Sequence, residues 1–216
     1  PESLQLHCVT EGKEEDKAVK VVLGAGTFLG KVMAVWDEQQ KAYRPLPSEG
    51  GHASVAVQTK EEWELVVYLL EKQLGQQVTW GDVLSGDGLV KIYDFFVEKL
   101  KREKLFTSPQ AIMENKKNEE MCCKAVELFV RLYARCARNF ALDTLSFGGV
   151  YIAGGIAAKY PEMFEEYGFL EEFTKSVKMK SILQQIPVSV ITNYHASLYG
   201  AAWYAHVQFI VKDIIN

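Results

Sequence analysis

The sequence has no sustained basic run: 24 Lys and Arg stand against 28 Asp and Glu, for a net charge of −4. A broad nucleic-acid or anionic-membrane surface needs clustered cations, so no nucleic acid and no membrane is expected as a partner. Nor is there an uninterrupted apolar run long enough to span a bilayer. Pro1-Glu2-Ser3 does not begin the basic-then-apolar progression of a signal peptide. Cysteine is scarce. Cys8, Cys122, Cys123 and Cys136 match no zinc spacing, and the adjacent pair does not suit a mutual disulfide. Cys122 and Cys136 fall on the apolar side of an expected helix, and buried thiols fit a reducing, cytoplasmic compartment. Internal repeats and low-complexity tracts are missing as well. The first residue is Pro and not Met, which reads as a processed chain or as a piece of something longer.

What is present is a globular composition. Of 216 residues, 48% are hydrophobic and 24% charged, enough for one large domain or two small ones around a buried core. Residues 18–24 are β-branched and apolar and read as a buried strand, 24–30 as a turn, and 31–36 as a returning strand, together a β-hairpin. Residues 37–59 read as loop. Apolar spacing predicts a helix from Lys60 to Leu74, stopped by Gly75. Thr79 is placed to cap a short turn before Val83, and another helix is expected from about Gly88 to Lys104. Ser108-Pro109 opens a further helix. A long helix follows from about Asn118 to Leu142, with Arg131, Arg135 and Arg138 on a face read as solvated. Residues 149–153 form a strand ending in Gly154-Gly155. Helical pieces around 161–167 and 169–177, a short strand at 187–191 and a closing helix from Ser197 to Val211 complete an α/β pattern with a large helical insertion.

Chemistry gathers at the glycines. In Ser48-Glu49-Gly50-Gly51-His52, the two glycines let the backbone turn sharply or approach a ligand closely. Glu49 accepts hydrogen bonds and neutral His52 both donates and accepts, which suits a molecule rich in hydroxyls; an ordinary surface loop is the plain alternative. Gly24-Ala25-Gly26 invites a dinucleotide-binding reading. That reading fails, because the third glycine arrives one residue late, at Gly30, and a strand follows where a helix is required. A hairpin tip with Gly26 and Thr27 can instead surround phosphate oxygens with N–H and hydroxyl donors, or simply turn tightly. Phe28 crowds both options. Gly154-Gly155 lets a flat ring lie on the backbone or a helix pack closely, and Ser85-Gly86-Asp87-Gly88 shares that ambiguity. His7, His195 and His206 read as packing or solvated, and Trp36, Trp63, Trp80 and Trp203 as core or interface aromatics.

The order of these motifs, Gly24-Ala25-Gly26-Thr27, then Glu49-Gly50-Gly51-His52, then Val83-Leu84-Ser85-Gly86-Asp87-Gly88, then Phe147-Gly148-Gly149-Val150-Tyr151-Ile152-Ala153-Gly154-Gly155-Ile156, resembles the bacterial-type glucokinase family from about Ala18 to Ala202. These are ATP-dependent hexose kinases of the actin/sugar-kinase/Hsp70 superfamily. The resemblance implies an α/β, actin-like (ribonuclease H-like) ATPase domain with a mixed sheet. It implies that residues 1–216 are the large C-terminal domain, without the small N-terminal catalytic domain. Glu49 and His52 then bind the hydroxyls of glucose, Gly26 and Thr27 the phosphates of ATP, and Gly154 and Gly155 its adenosine, with Mg2+ carried on the nucleotide. Family members often form homodimers.

The departures matter equally. The family's catalytic Asn-Asp pair and its Asp-x-Gly-Gly-Thr loop do not occur in the sequence, so no catalytic residue is expected here and the chain is expected to be inactive alone. Where the family carries a second sugar-binding Glu, this chain has Gly81; Asp82, one place along and shorter, is a candidate substitute. Phe28 replaces the middle glycine of the phosphate loop. The alternative these changes favour is a kinase-like binding or scaffold subunit that has lost catalysis.

Overall fold

The hairpin lies inside one six-stranded mixed sheet with strand order β1-β6-β5-β2-β3-β4. The structure, a computed structural model, describes residues 4–72 and 77–215, with side chains as far as Ala205. The strands are β1 (Leu6–Thr10), β2 (Lys20–Ala25), β3 (Leu29–Asp37), β4 (Ala42–Ser48), β5 (Val150–Ala153) and β6 (Val188–Ile191). β2 alternates, burying Val21, Leu23 and Ala25, and pairs antiparallel with β3 and parallel with β5. β5 and β6 continue in parallel, and β1 closes that side antiparallel to β6.

Two strands correct the sequence reading. Residues 42–48 are not loop but the edge strand β4, in register with β3 from Asp37↔Ala42 to Lys31↔Ser48. Pro45 and Pro47 hide it from a propensity reading, yet prolines are tolerated on an edge, where fewer N–H groups are needed for the ladder. The Trp36 and Tyr43 rings, opposite one another, meet edge to face at 5.3 Å. β1 is the second addition; its partner lies at the far end of the chain, beyond the reach of local pattern.

The helical insertion runs between β4 and β5. It holds α1 (Lys60–Lys72), α2 (Trp80–Val83), α3 (Gly86–Lys99), α4 (Pro109–Glu114) and α5 (Glu120–Thr144). The expected stop of the first helix, Leu74-Gly75, lies outside the described residues. Ser85 starts α3 earlier than its glycines suggest, its hydroxyl accepting the Gly88 N–H at 3.0 Å. Ser108 caps α4 in the same way, with Pro109 in the first turn. After β5 come α6 (Gly155–Lys159), α7 (Met163–Glu166), α8 (Phe169–Phe173) and α9 (Lys180–Leu183), and after β6 the closing α10 (Ala196–Ile215). His206 falls beyond the described side chains. Among the described residues, no helix is long and apolar enough to cross a membrane.

α5 is buried on more sides than an amphipathic reading allows. Cys122 and Cys136 are buried as free thiols, and burial pushes the Cys136 thiol up to about 12. The Tyr133 hydroxyl donates to the Leu23 carbonyl at 3.0 Å and ties the helix to the middle of β2. Arg135 and Arg138, expected to be solvated, are buried. Arg135 donates through Nη2 to Glu62 Oε1 at 3.0 Å and through Nε to Glu172 Oε1 at 2.9 Å, while Arg138 donates to the Glu172 carbonyl at 2.8 Å. The Gln58 N–H and Arg131 Nε also donate to the Glu62 carboxylate. Charges leave water when partners satisfy them from several sides, and here α1 and α8 supply the carboxylates. Burial alone raises the Glu62 carboxyl, but Arg135 and the Gln58 and Thr59 N–H groups outweigh it and hold the group below its usual range.

Candidate functional site

β2 and β5 run parallel and end together, at Ala25 and Ala153. Ligands of open α/β sheets bind beyond the carboxyl ends of parallel strands. The glycine turns lie there. The tip between β2 and β3 is Gly26-Thr27-Phe28, all exposed, with the Gly26 N–H donating to the Phe28 carbonyl at 3.2 Å. The Gly86 N–H at the start of α3 donates to the Gly26 carbonyl at 3.0 Å, which joins the tip to the helical insertion.

On one side of the tip, a single 3-10 turn, Gly50–His52, presses on the start of β3. A Cβ at Gly51 would stand 2.1 Å from the Leu29 carbonyl oxygen, so only glycine permits this approach. The turn holds His52 Nε2 3.7 Å from Glu49 Oε2, with the two side chains 63% and 93% exposed and thus open to a ligand. The Phe28 ring stacks on the His52 ring at 4.4 Å with 30° between planes. Its far edge reaches α2: a Cβ at Gly81 would lie 2.1 Å from Phe28 Cζ. The two departures seen along the sequence are therefore one contact in space.

Asp82 is placed differently. Its Oδ2 accepts from the Thr79 N–H at 2.8 Å and from the Thr79 hydroxyl at 2.7 Å, and its Oδ1 lies 3.5 Å from Lys91 Nζ. That is a capping box at the start of α2. The structure brings Glu49 and His52 together with Phe28, and commits Asp82 to the helix cap.

On the other side of the tip is a cavity of about 300 Å³, lined by Ala25, Gly26, Gly86, Pro109, Gly155, Ile156, Lys159 and Tyr160 among others. Gly154 enters α6 at φ +113°, and a Cβ there would stand 2.3 Å from the Ala25 carbonyl oxygen. Gly155 has open space where a side chain would be. Lys159 and Tyr160 escape a sequence reading because no motif carries them. Lys159 Nζ and Lys116 Nζ flank the Tyr160 ring at 5.1 and 4.9 Å from its centroid. Among the described residues, no group of three or more His, Cys, Asp or Glu is gathered to hold a metal ion.

This architecture is that of sugar kinases with the actin-like ATPase fold. A glucokinase from an Antarctic psychrotroph superposes with a TM-score of 0.82 at 26% identity, over 94% of this chain and 62% of that one. A ROK family glucokinase from Streptomyces griseus, in complex with glucose and AMPPNP, shares the fold with a TM-score of 0.60 at 15% identity, over 87% of this chain and 60% of that one. The chain belongs to the glucokinase family: the Glucokinase family model matches residues 2–208. It is 33% identical to the glucokinase of Nostoc punctiforme over 91% of its own length, and it spans 64% of the length of that relative.

Proposed function

We propose that these 216 residues form the large domain of an ATP-dependent glucose kinase of the cytoplasm, supplying one wall for the sugar and one for the nucleotide. The observation that carries this reading is the shared hairpin tip. Gly26-Thr27-Phe28 has the Glu49/His52 turn on one side and the Gly86/Gly155 cavity on the other, at the carboxyl ends of β2 and β5. Phosphoryl transfer is mostly positioning and charge stabilisation, so a donor and an acceptor site that meet at one loop form the required geometry.

In this reading Glu49 accepts hydrogen bonds from sugar hydroxyls and His52 donates or accepts beside it. Thr27, exposed at the tip, offers its hydroxyl to phosphate oxygens. The cavity walls, with Gly155 open and Ile156 and Tyr160 apolar, take the flat base. Magnesium, in this reading, arrives carried on the nucleotide's phosphates. The sequence holds no Asn-Asp pair to accept the hydroxyl proton and no Asp-x-Gly-Gly-Thr loop to enclose phosphate, so in this reading the chain binds both ligands without turnover.

Calorimetric titration with glucose and with Mg-ATP, beside a glucose 6-phosphate assay, tests the reading. Binding of each ligand with no product is the expected result; product formation by the chain alone removes the claim that the base lies elsewhere. The Phe28–Gly81 contact favours a second reading, a kinase-like binding subunit without catalysis. A folded chain that binds neither ligand selects it.

A further inference from the structure

The Phe28 ring touches the candidate sugar motif from three directions. It stacks on His52 at 4.4 Å, lies 3.2 Å from the place of a Cβ on Gly51, and occupies the place of a Cβ on Gly81. It stays 37% exposed, so part of it faces outward beside the open Glu49 and His52 side chains. A pyranose is amphipathic, with hydroxyls around its rim and C–H bonds on its faces. A carboxylate, an imidazole and an aromatic ring side by side match both parts.

We infer that Phe28, whose ring fills the place a side chain at Gly81 would take, is a specificity-determining residue of the sugar site, presenting an apolar face beside Glu49 and His52. The inference rests on the sugar-kinase reading above. Its consequence is chemical. A site that hydrogen-bonds a hydroxyl rejects the analogue lacking it by about 10⁴-fold or more, whereas an apolar wall separates such a pair by only about 10²-fold or less. The ligand class is therefore a hexose that lacks, or carries in substituted form, the hydroxyl facing Phe28, accepted nearly as well as glucose.

The test titrates the full chain with glucose and with each of its monodeoxy analogues. At least one analogue is expected to bind within about tenfold of glucose. The Phe28→Gly/Gly81→Glu double variant is expected to widen that gap at least about 100-fold. Phe28→Leu, which keeps bulk and loses the aromatic face, weakens glucose about three- to tenfold. Melting curves test the contact without a ligand: Gly81→Ala lowers the melting temperature of the parent chain but not that of Phe28→Ala. Unchanged glucose affinity in Phe28→Leu, or rejection of every monodeoxy analogue by the parent chain by about 10⁴-fold, overturns this inference alone. A melting loss from Gly81→Ala in both backgrounds overturns the pairing. A folded parent chain that binds no hexose overturns the kinase reading together with it.

Discussion

Position 154 turns on a single hydrogen atom. Gly154 combines φ +113° with a Cβ position 2.3 Å from the Ala25 carbonyl. Alanine there carries about 1–3 kcal/mol of backbone strain before the steric clash is relieved. Gly154→Ala is expected to lower the melting temperature and to weaken ATP more than glucose, because the backbone it would displace, at Ala25 and Gly155, lines the cavity proposed for the nucleotide. Equal losses for the two ligands, or an unchanged melting curve, would count against that assignment. Individual residues were legible in the sequence where they were contiguous. Glu49, Gly50, Gly51 and His52 announce themselves as a run, and so does the pair at 154 and 155. Phe28 and Gly81 read along the chain as two separate departures, because nothing local reveals that one ring fills the other's missing side chain. Arg135 was illegible for a similar reason, since its partners Glu62 and Glu172 sit 73 and 37 positions away.

Short elements are held by their ends. α2 is four residues long, too short to persist on hydrogen bonds of its own, and the Thr79/Asp82 capping box supplies donors and acceptors at its start. Asp82→Ala is expected to cost about 1 kcal/mol in urea unfolding, the ordinary worth of a cap, with less than a twofold change in glucose affinity. A tenfold loss of glucose binding at unchanged stability would instead make Asp82 a sugar ligand. The sequence gives the cap at Thr79 readily, along with Ser108-Pro109 and the β2–β3 hairpin, since each signal lies within a few residues. It conceals β4 behind Pro45 and Pro47, and β1 behind the long separation from β6. The solvated reading of the α5 arginine face failed because helical periodicity reports which residues share a side, not what packs against that side.

At the scale of the whole molecule, the buried charges join α1, α5 and α8 and so link parts of the insertion to the segment after β5. Glu62 is ionised in the fold with its carboxyl below the usual 4.5. A group depressed in this way contributes stability that is fully present above its unfolded pKa and is lost as pH falls through the folded value. Melting temperature is therefore expected to hold from neutrality to about pH 4.5 and then to fall steeply. In Glu62→Gln the chain starts lower and the dependence below that point is shallower; parallel curves would show that other groups govern acid unfolding. The sheet has a different consequence at its margin. β4 is an outer strand, and two of its seven residues are prolines whose nitrogens carry no hydrogen. A strand arriving from a neighbouring molecule meets two backbone positions that carry no donor, which hinders edge-to-edge pairing along this border of the protein.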